Sequence, residues 1–69
     1  MAIKNKLLEV RLELGYKFAK DFAEFIGIHK DQYSRYENNK AQPTLAIAYK
    51  IAKKINKPIE YFIYDNEES

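Results

Sequence analysis

Asp31, Ser34, Arg35 and Asn38 bring four polar side chains into a short stretch near the middle of the chain. On a helix advancing about 100° per residue, Tyr36 and Glu37 fall within about 60° of Tyr33, one on each side. Asp31, Arg35 and Asn38 then fall on the opposite side, with Ser34 to one edge and Gln32 flanking. An arginine can pair twice with O6 and N7 of guanine, and an aspartate can accept from N4 of cytosine. The face therefore suits the edges of base pairs. Asp31 and Arg35 also stand four apart, so they could pair with each other, and a guanidinium held in this way is better aimed. Asp31 is favoured near a helix N-terminus by the helix dipole alone.

Other chemistry is poorly provided for. One histidine (His29) and no cysteine cannot build a tetrahedral zinc site. They offer no nucleophile with its base either, so neither an enzyme nor a cofactor is expected. His29 falls at a helix cap position, where it could touch a phosphate or simply close the turn. The six tyrosines could stack on unpaired bases. Tyr33, Tyr36, Tyr49 and Tyr61 have core-facing or rim spacings, which favours packing. No apolar run approaches the ~18 residues of a membrane span. The opening Met1-Ala2-Ile3-Lys4 is not followed by a signal-peptide core. A cytoplasmic protein is expected.

The elements that must position the polar face are helical. Ile3, Leu7, Val10 and Leu14 have the spacing of one helix face, and Gly15 ends that helix. Phe18, Phe22, Ala23, Phe25 and Ile26 repeat the signal up to Gly27. A third helix fits 30–38, followed by a polar loop in which Asn39 can take a left-handed conformation. Thr44 is a good N-cap for a fourth helix over 45–55, with Leu45, Ala48, Ile51, Ala52 and Ile55 inward. Asn56-Lys57-Pro58 breaks that helix, and Pro58 can open a short fifth one carrying Ile59 and Phe62 inward. No strand is predicted. The expected fold is all-α, a compact five-helix bundle over residues 1–64, with an acidic tail, 65–69, that frays.

Residues 19–38 carry the most specific pattern. Two short helices that cross closely need a small side chain at the crossing and a turn residue tolerant of positive φ. Ala23 and Gly27 supply these. Phe22, Ile26, Ile28, Tyr33 and Tyr36 can pin the pair together, which is the physical logic of a helix-turn-helix. Leu7, Val10 and Arg11, then Phe22-Ala23-Glu24-Phe25-Ile26-Gly27-Ile28, then Tyr33-Ser34-Arg35-Tyr36-Glu37-Asn38 and Pro43 complete the pattern. In these residues the chain resembles the phage repressor and Cro-like helix-turn-helix family, also called XRE, over about residues 5–63.

The resemblance implies a lambda-repressor-like fold and a small transcriptional regulator that binds double-stranded DNA sequence-specifically, its third helix in the major groove. It also implies a pair between Arg11 and Glu37 that clamps the first helix to the end of the third. Family geometry brings Lys30 towards the groove, giving Lys30, Asp31, Ser34 and Arg35 as base-reading candidates. Lys17, Lys20, His29, Gln32, Asn38, Asn39 and Lys40 are candidates for backbone or flanking contacts. The chain departs from the family in three places. The loop after Gly15 is one residue longer. Phe18 and Ala19 stand where a capping Ser or Thr and a phosphate-touching Gln are common, so Lys17 or Lys20 would take over that contact. Asn39 replaces a common glycine.

Charge agrees with a polyanionic partner. Residues 1–57 hold twelve Lys and Arg against six acids, for +6, while residues 58–69 hold four acids and no base. No small-molecule ligand is expected, because the chain has no length for a sensing domain. Tyr61, Phe62, Ile63 and Tyr64 form an apolar end suited to a weak homodimer. The alternative reading is an antitoxin-like or adaptor helical module whose main partner is another protein.

Overall fold

The computed structural model describes residues 3–65. The element order is β1 (Ile3–Asn5), α1 (Leu7–Glu13), α2 (Ala19–Ile26), α3 (Lys30–Glu37), α4 (Leu45–Ile55), a single 3-10 turn (Ile59–Tyr61) and β2 (Ile63–Asp65). The molecule is mostly helical, but it is neither all-α nor a five-helix bundle: four α-helices pack beside a two-stranded antiparallel sheet.

Both corrections come from the chain ends. The expected first helix begins at Leu7 instead of residue 3, because Asn5 stops it. The Asn5 Oδ1 accepts the Leu7 N–H at 3.0 Å, a local bond that competes with helix formation. The three residues before the helix pair instead with β2, in the register Ile3↔Asp65, Lys4↔Tyr64 and Asn5↔Ile63. The Lys6 N–H continues the contact to the Phe62 carbonyl at 2.7 Å. The expected fifth helix shrinks to one turn for the same reason, since the chain must be extended by Ile63 to reach β1. Asp65 stands in β2; the rest of the acidic tail lies outside the described residues.

Leu7, Val10, Phe22, Ala23, Ile26, Tyr33, Tyr36, Ala48, Ile51, Ala52, Ile55 and Phe62 are buried and form one core. Ile3, Leu14 and Leu45 are expected inward and are exposed: strand pairing carries Ile3 to the surface, Leu14 caps the end of α1, and Leu45, the first residue of α4, is 78% exposed. Thr44 caps α4 as expected, its Oγ1 accepting from the Ile47 N–H at 3.3 Å. Asn56 ends that helix in the left-handed region at φ 59°.

Candidate nucleic-acid interface

The α2–turn–α3 unit is built around aromatic contacts. The Phe22 and Tyr33 rings meet edge to face with centroids 5.5 Å apart, and Tyr16 lies against both Phe22 and Phe25 at 5.4 Å. Ala23 is buried at the start of the turn, where its carbonyl accepts the Ile28 N–H at 2.9 Å. Gly27 closes α2 at φ 77°, a conformation that costs a side chain strain. A Cβ there would also meet Lys50 at 3.0 Å, and the Lys50 ammonium donates to the Gly27 carbonyl, tying the turn to α4.

Helix α3 divides its faces cleanly. Tyr33 and Tyr36 are buried, while Lys30, Asp31, Gln32, Ser34 and Arg35 are exposed, as is Asn38 just after the helix. The Tyr33 hydroxyl reaches the Leu7 carbonyl at 3.4 Å. Burial, and then the neighbouring Glu37 carboxylate, push its phenol well above the ordinary tyrosine range. The Arg11 Nε donates to Glu37 Oε2 at 2.9 Å, with only 10% and 14% of the two side chains exposed. The same guanidinium donates to the carbonyls of Tyr16 and Lys17 at 3.2 and 2.5 Å, closing the longer loop onto the end of α1.

The exposed face holds its side chains unequally. Asp31 and Arg35 do not form an ion pair among the described residues. Instead the Asp31 N–H donates to His29 Nδ1 at 3.2 Å, which makes His29 the N-cap of α3. The Asp31 carboxylate lies 3.8 Å from the same nitrogen. A neutral ring serves the cap and a protonated one the ion pair, so the two contacts exclude each other. Asn38 Nδ2 is held by the Ser34 carbonyl at 2.9 Å and lies 3.4 Å from Ser34 Oγ. Gln32 is held by the Tyr36 hydroxyl at 2.9 Å. Lys20, His29 and Lys30 line one cleft between α2 and α3 together with Asp21, Glu24 and Ile28. Lys17 is exposed over the Phe18 ring and does not line that cleft, and Lys40 is exposed in the loop. Phe18, the residue before α2, gives that helix no side-chain cap.

Asn39 is placed differently from its neighbours. It sits at φ 58° and is half-buried, with its carboxamide turned to β1. Asn39 Oδ1 accepts the Asn5 N–H at 2.9 Å, and Asn39 Nδ2 donates to the Asn5 carbonyl at 3.4 Å. Asn5 and Gln42 belong to this cluster and were missed by sequence reasoning. Asn5 Nδ2 donates to the Tyr36 carbonyl at 2.7 Å and to Gln42 Oε1 at 2.8 Å, and Gln42 Nε2 donates to Asn39 Oδ1 at 2.9 Å. The available signal was an asparagine inside an apparent helix, a residue that favours caps over helix interiors. The N–H groups of Asn39, Lys40 and Ala41 return to the carbonyls of Tyr36 and Arg35. This loop therefore does not offer those three N–H groups to a ligand.

Among the described residues no group of acids and histidines is arranged to hold a metal. No described helix is long and apolar enough to cross a membrane. The pattern that defines the helix-turn-helix family matches residues 7–62. An uncharacterized HTH-type transcriptional regulator of Archaeoglobus fulgidus is 33% identical over 67 residues, which cover 96% of this chain and 94% of that protein. With Ala23 buried, the turn at Gly27 and the half-buried α3 already in place, these matches show that the chain belongs to the helix-turn-helix family, of the repressor-like XRE type.

Proposed function

We propose that the protein is a DNA-binding transcriptional regulator that reads double-stranded DNA sequence-specifically, with α3 in the major groove. The observation that carries this reading is the split of α3: Tyr33 and Tyr36 fix the helix from behind, and Lys30, Asp31, Ser34 and Arg35 stand exposed together in front. Arg35, without an ion-pair partner among the described residues, is the leading candidate for guanine, with Asp31 for cytosine. Lys30 and Ser34 complete the base-reading set. Lys17, Lys20 and Lys40, with His29, Gln32 and Asn38, lie along the phosphates; such contacts set orientation without reading sequence. The uncapped start of α2 beside Lys17 and Lys20 suits a phosphate as well.

A single module of this size covers little DNA, so two copies on two half-sites are the expected assembly. The C-terminal end supplies a modest contact for a weak homodimer: Tyr64 is exposed, Tyr61 and Ile63 are half-buried, and Phe62 is spent on the core. The site of action is the cytoplasm, at the nucleoid in a bacterial or phage setting. A protein partner is the second reading, favoured by Leu8 and Leu12, four apart and both exposed on α1. Titration of a random-sequence duplex at several salt concentrations separates the two. DNA binding gives affinity that falls linearly on a log–log plot with salt. Absence of binding at low salt rejects it in favour of the protein partner.

A further inference from the structure

The Asn5–Asn39 contact does more than join a strand to a loop. Strand β1 has one neighbour, β2, so its other edge carries backbone groups with no strand to satisfy them. The Asn39 carboxamide fills that place. It presents an acceptor to the Asn5 N–H at 2.9 Å and a donor to the Asn5 carbonyl at 3.4 Å, as a further strand would. The Asn5 carboxamide answers in the other direction. Its Nδ2 donates to the Tyr36 carbonyl at 2.7 Å, near the end of α3, where that carbonyl also takes the Asn39 N–H at 2.9 Å. Its Oδ1 takes the Leu7 N–H at the start of α1. Each asparagine thus uses its side chain on the backbone of the other's segment, and Gln42 bridges the two amides.

We propose that Asn5 and Asn39 form a reciprocal carboxamide clamp that positions α3 on DNA, so that the clamp sets discrimination between a preferred site and random sequence. The inference rests on α3 being the DNA-reading helix. Asn39 and Asn5 are positioning residues and touch no base or phosphate. The end of α3 is held at two points: from α1 by the Arg11–Glu37 pair, and from β1 by the clamp. Arg35 and Ser34 lie within one turn of that end. A small rotation about the Arg11–Glu37 anchor would displace their tips relative to base edges, while phosphates tolerate such a shift. The clamp also explains asparagine at position 39. A glycine would take φ 58° with less strain, but it could not pair with β1.

Asn39→Gly is therefore the informative variant, because it removes the carboxamide while keeping the backbone easy to form. Affinities for a library-selected duplex and for a random duplex are measured for the wild type and Asn39→Gly well below both melting temperatures. Amide hydrogen exchange is followed at Asn5 and at Asn38 to Ala41. The expected result is unchanged affinity for random DNA, a specific-to-random ratio lowered by about tenfold, the order of one lost base contact, and faster exchange at Asn5. Asn5→Asp keeps the acceptor for Leu7 and loses both Nδ2 donations; it should lower the ratio likewise. An unchanged ratio in Asn39→Gly overturns the proposal. So does an equal loss on both duplexes, which would make Asn39 a phosphate contact. Unchanged exchange at Asn5 removes the clamp itself. A wild type that prefers no sequence defeats the reading of α3 and with it the role in discrimination, while exchange still reports whether the clamp exists.

Discussion

Nε of Arg11, in the last turn of α1, lies 2.9 Å from Oε2 of Glu37, the last residue of α3. Both side chains are nearly buried, so each charge is compensated by the other with little help from solvent. Removing one partner of such a pair typically costs about 3–5 kcal/mol, because the remaining charge stays buried without compensation. Arg11→Ala should lose that much in a urea melt, and more than Glu37→Gln, since it also abandons the Tyr16 and Lys17 carbonyls. The double replacement Arg11→Met with Glu37→Leu should recover part of the loss. A shift under about 0.5 kcal/mol for Arg11→Ala, ordinary for a surface substitution, would show that the pair does not hold the helices together.

Tyr33 links folding to alkaline pH. Its folded pKa is raised above the ordinary value of 10.0, chiefly by burial and then by Glu37. The unfolded chain therefore releases this proton at lower pH than the folded one. The stabilisation is complete below pH 10 and declines as pH rises above it, by at most about 1.4 kcal/mol per pH unit for one proton. Tyr61, held by the Glu13 carboxylate, is shifted in the same direction. Denaturant melts between pH 9 and about pH 11, bracketing the free tyrosine value, should show the decline, and Tyr33→Phe should flatten it. An equal slope in the variant would assign the effect to other groups.

Ala23 tests the helix crossing. It is 1% exposed, and a larger side chain there must displace one of the two helices. Overpacking of this kind costs about 1–3 kcal/mol. Ala23→Leu should lower the melting temperature accordingly; an unchanged value would place Ala23 away from the crossing.

Arg35→Ala should weaken binding to a preferred site by about 1–3 kcal/mol if the guanidinium pairs with guanine. Random DNA should lose much less. Equal losses on the two duplexes would make Arg35 a phosphate contact instead.

The legible parts of this molecule are those whose signal is local. Phe22, Ala23, Ile26, Gly27, Tyr33 and Tyr36 announce two helices and a turn within fifteen consecutive residues, from 22 to 36. Periodicity alone turns Asp31, Ser34 and Arg35 outward, and the structure exposes all three. The sheet was not legible for the opposite reason. Each strand is three residues long, too short to show alternation, and its partner lies some sixty residues away. Ile3 matches the period of Leu7 and Val10 by coincidence and so extends the apparent helix backward. The sequence marks Asn39 as a left-handed loop residue and a candidate for DNA-backbone contact, and says nothing of a partner for its side chain. Its side-chain role depends on Asn5, 34 residues earlier, and becomes visible only once the strand is in place.

The most direct test of the central claim is selection of bound sequences by the full chain from a random duplex library, followed by affinity measurements on the enriched site and on random DNA at one salt concentration. A defined consensus is expected, bound more tightly than random sequence by about 10³-fold or more, with the preference reduced in Arg35→Ala. Recovery of no consensus, or equal affinity for enriched and random duplexes, would contradict sequence-specific reading by α3.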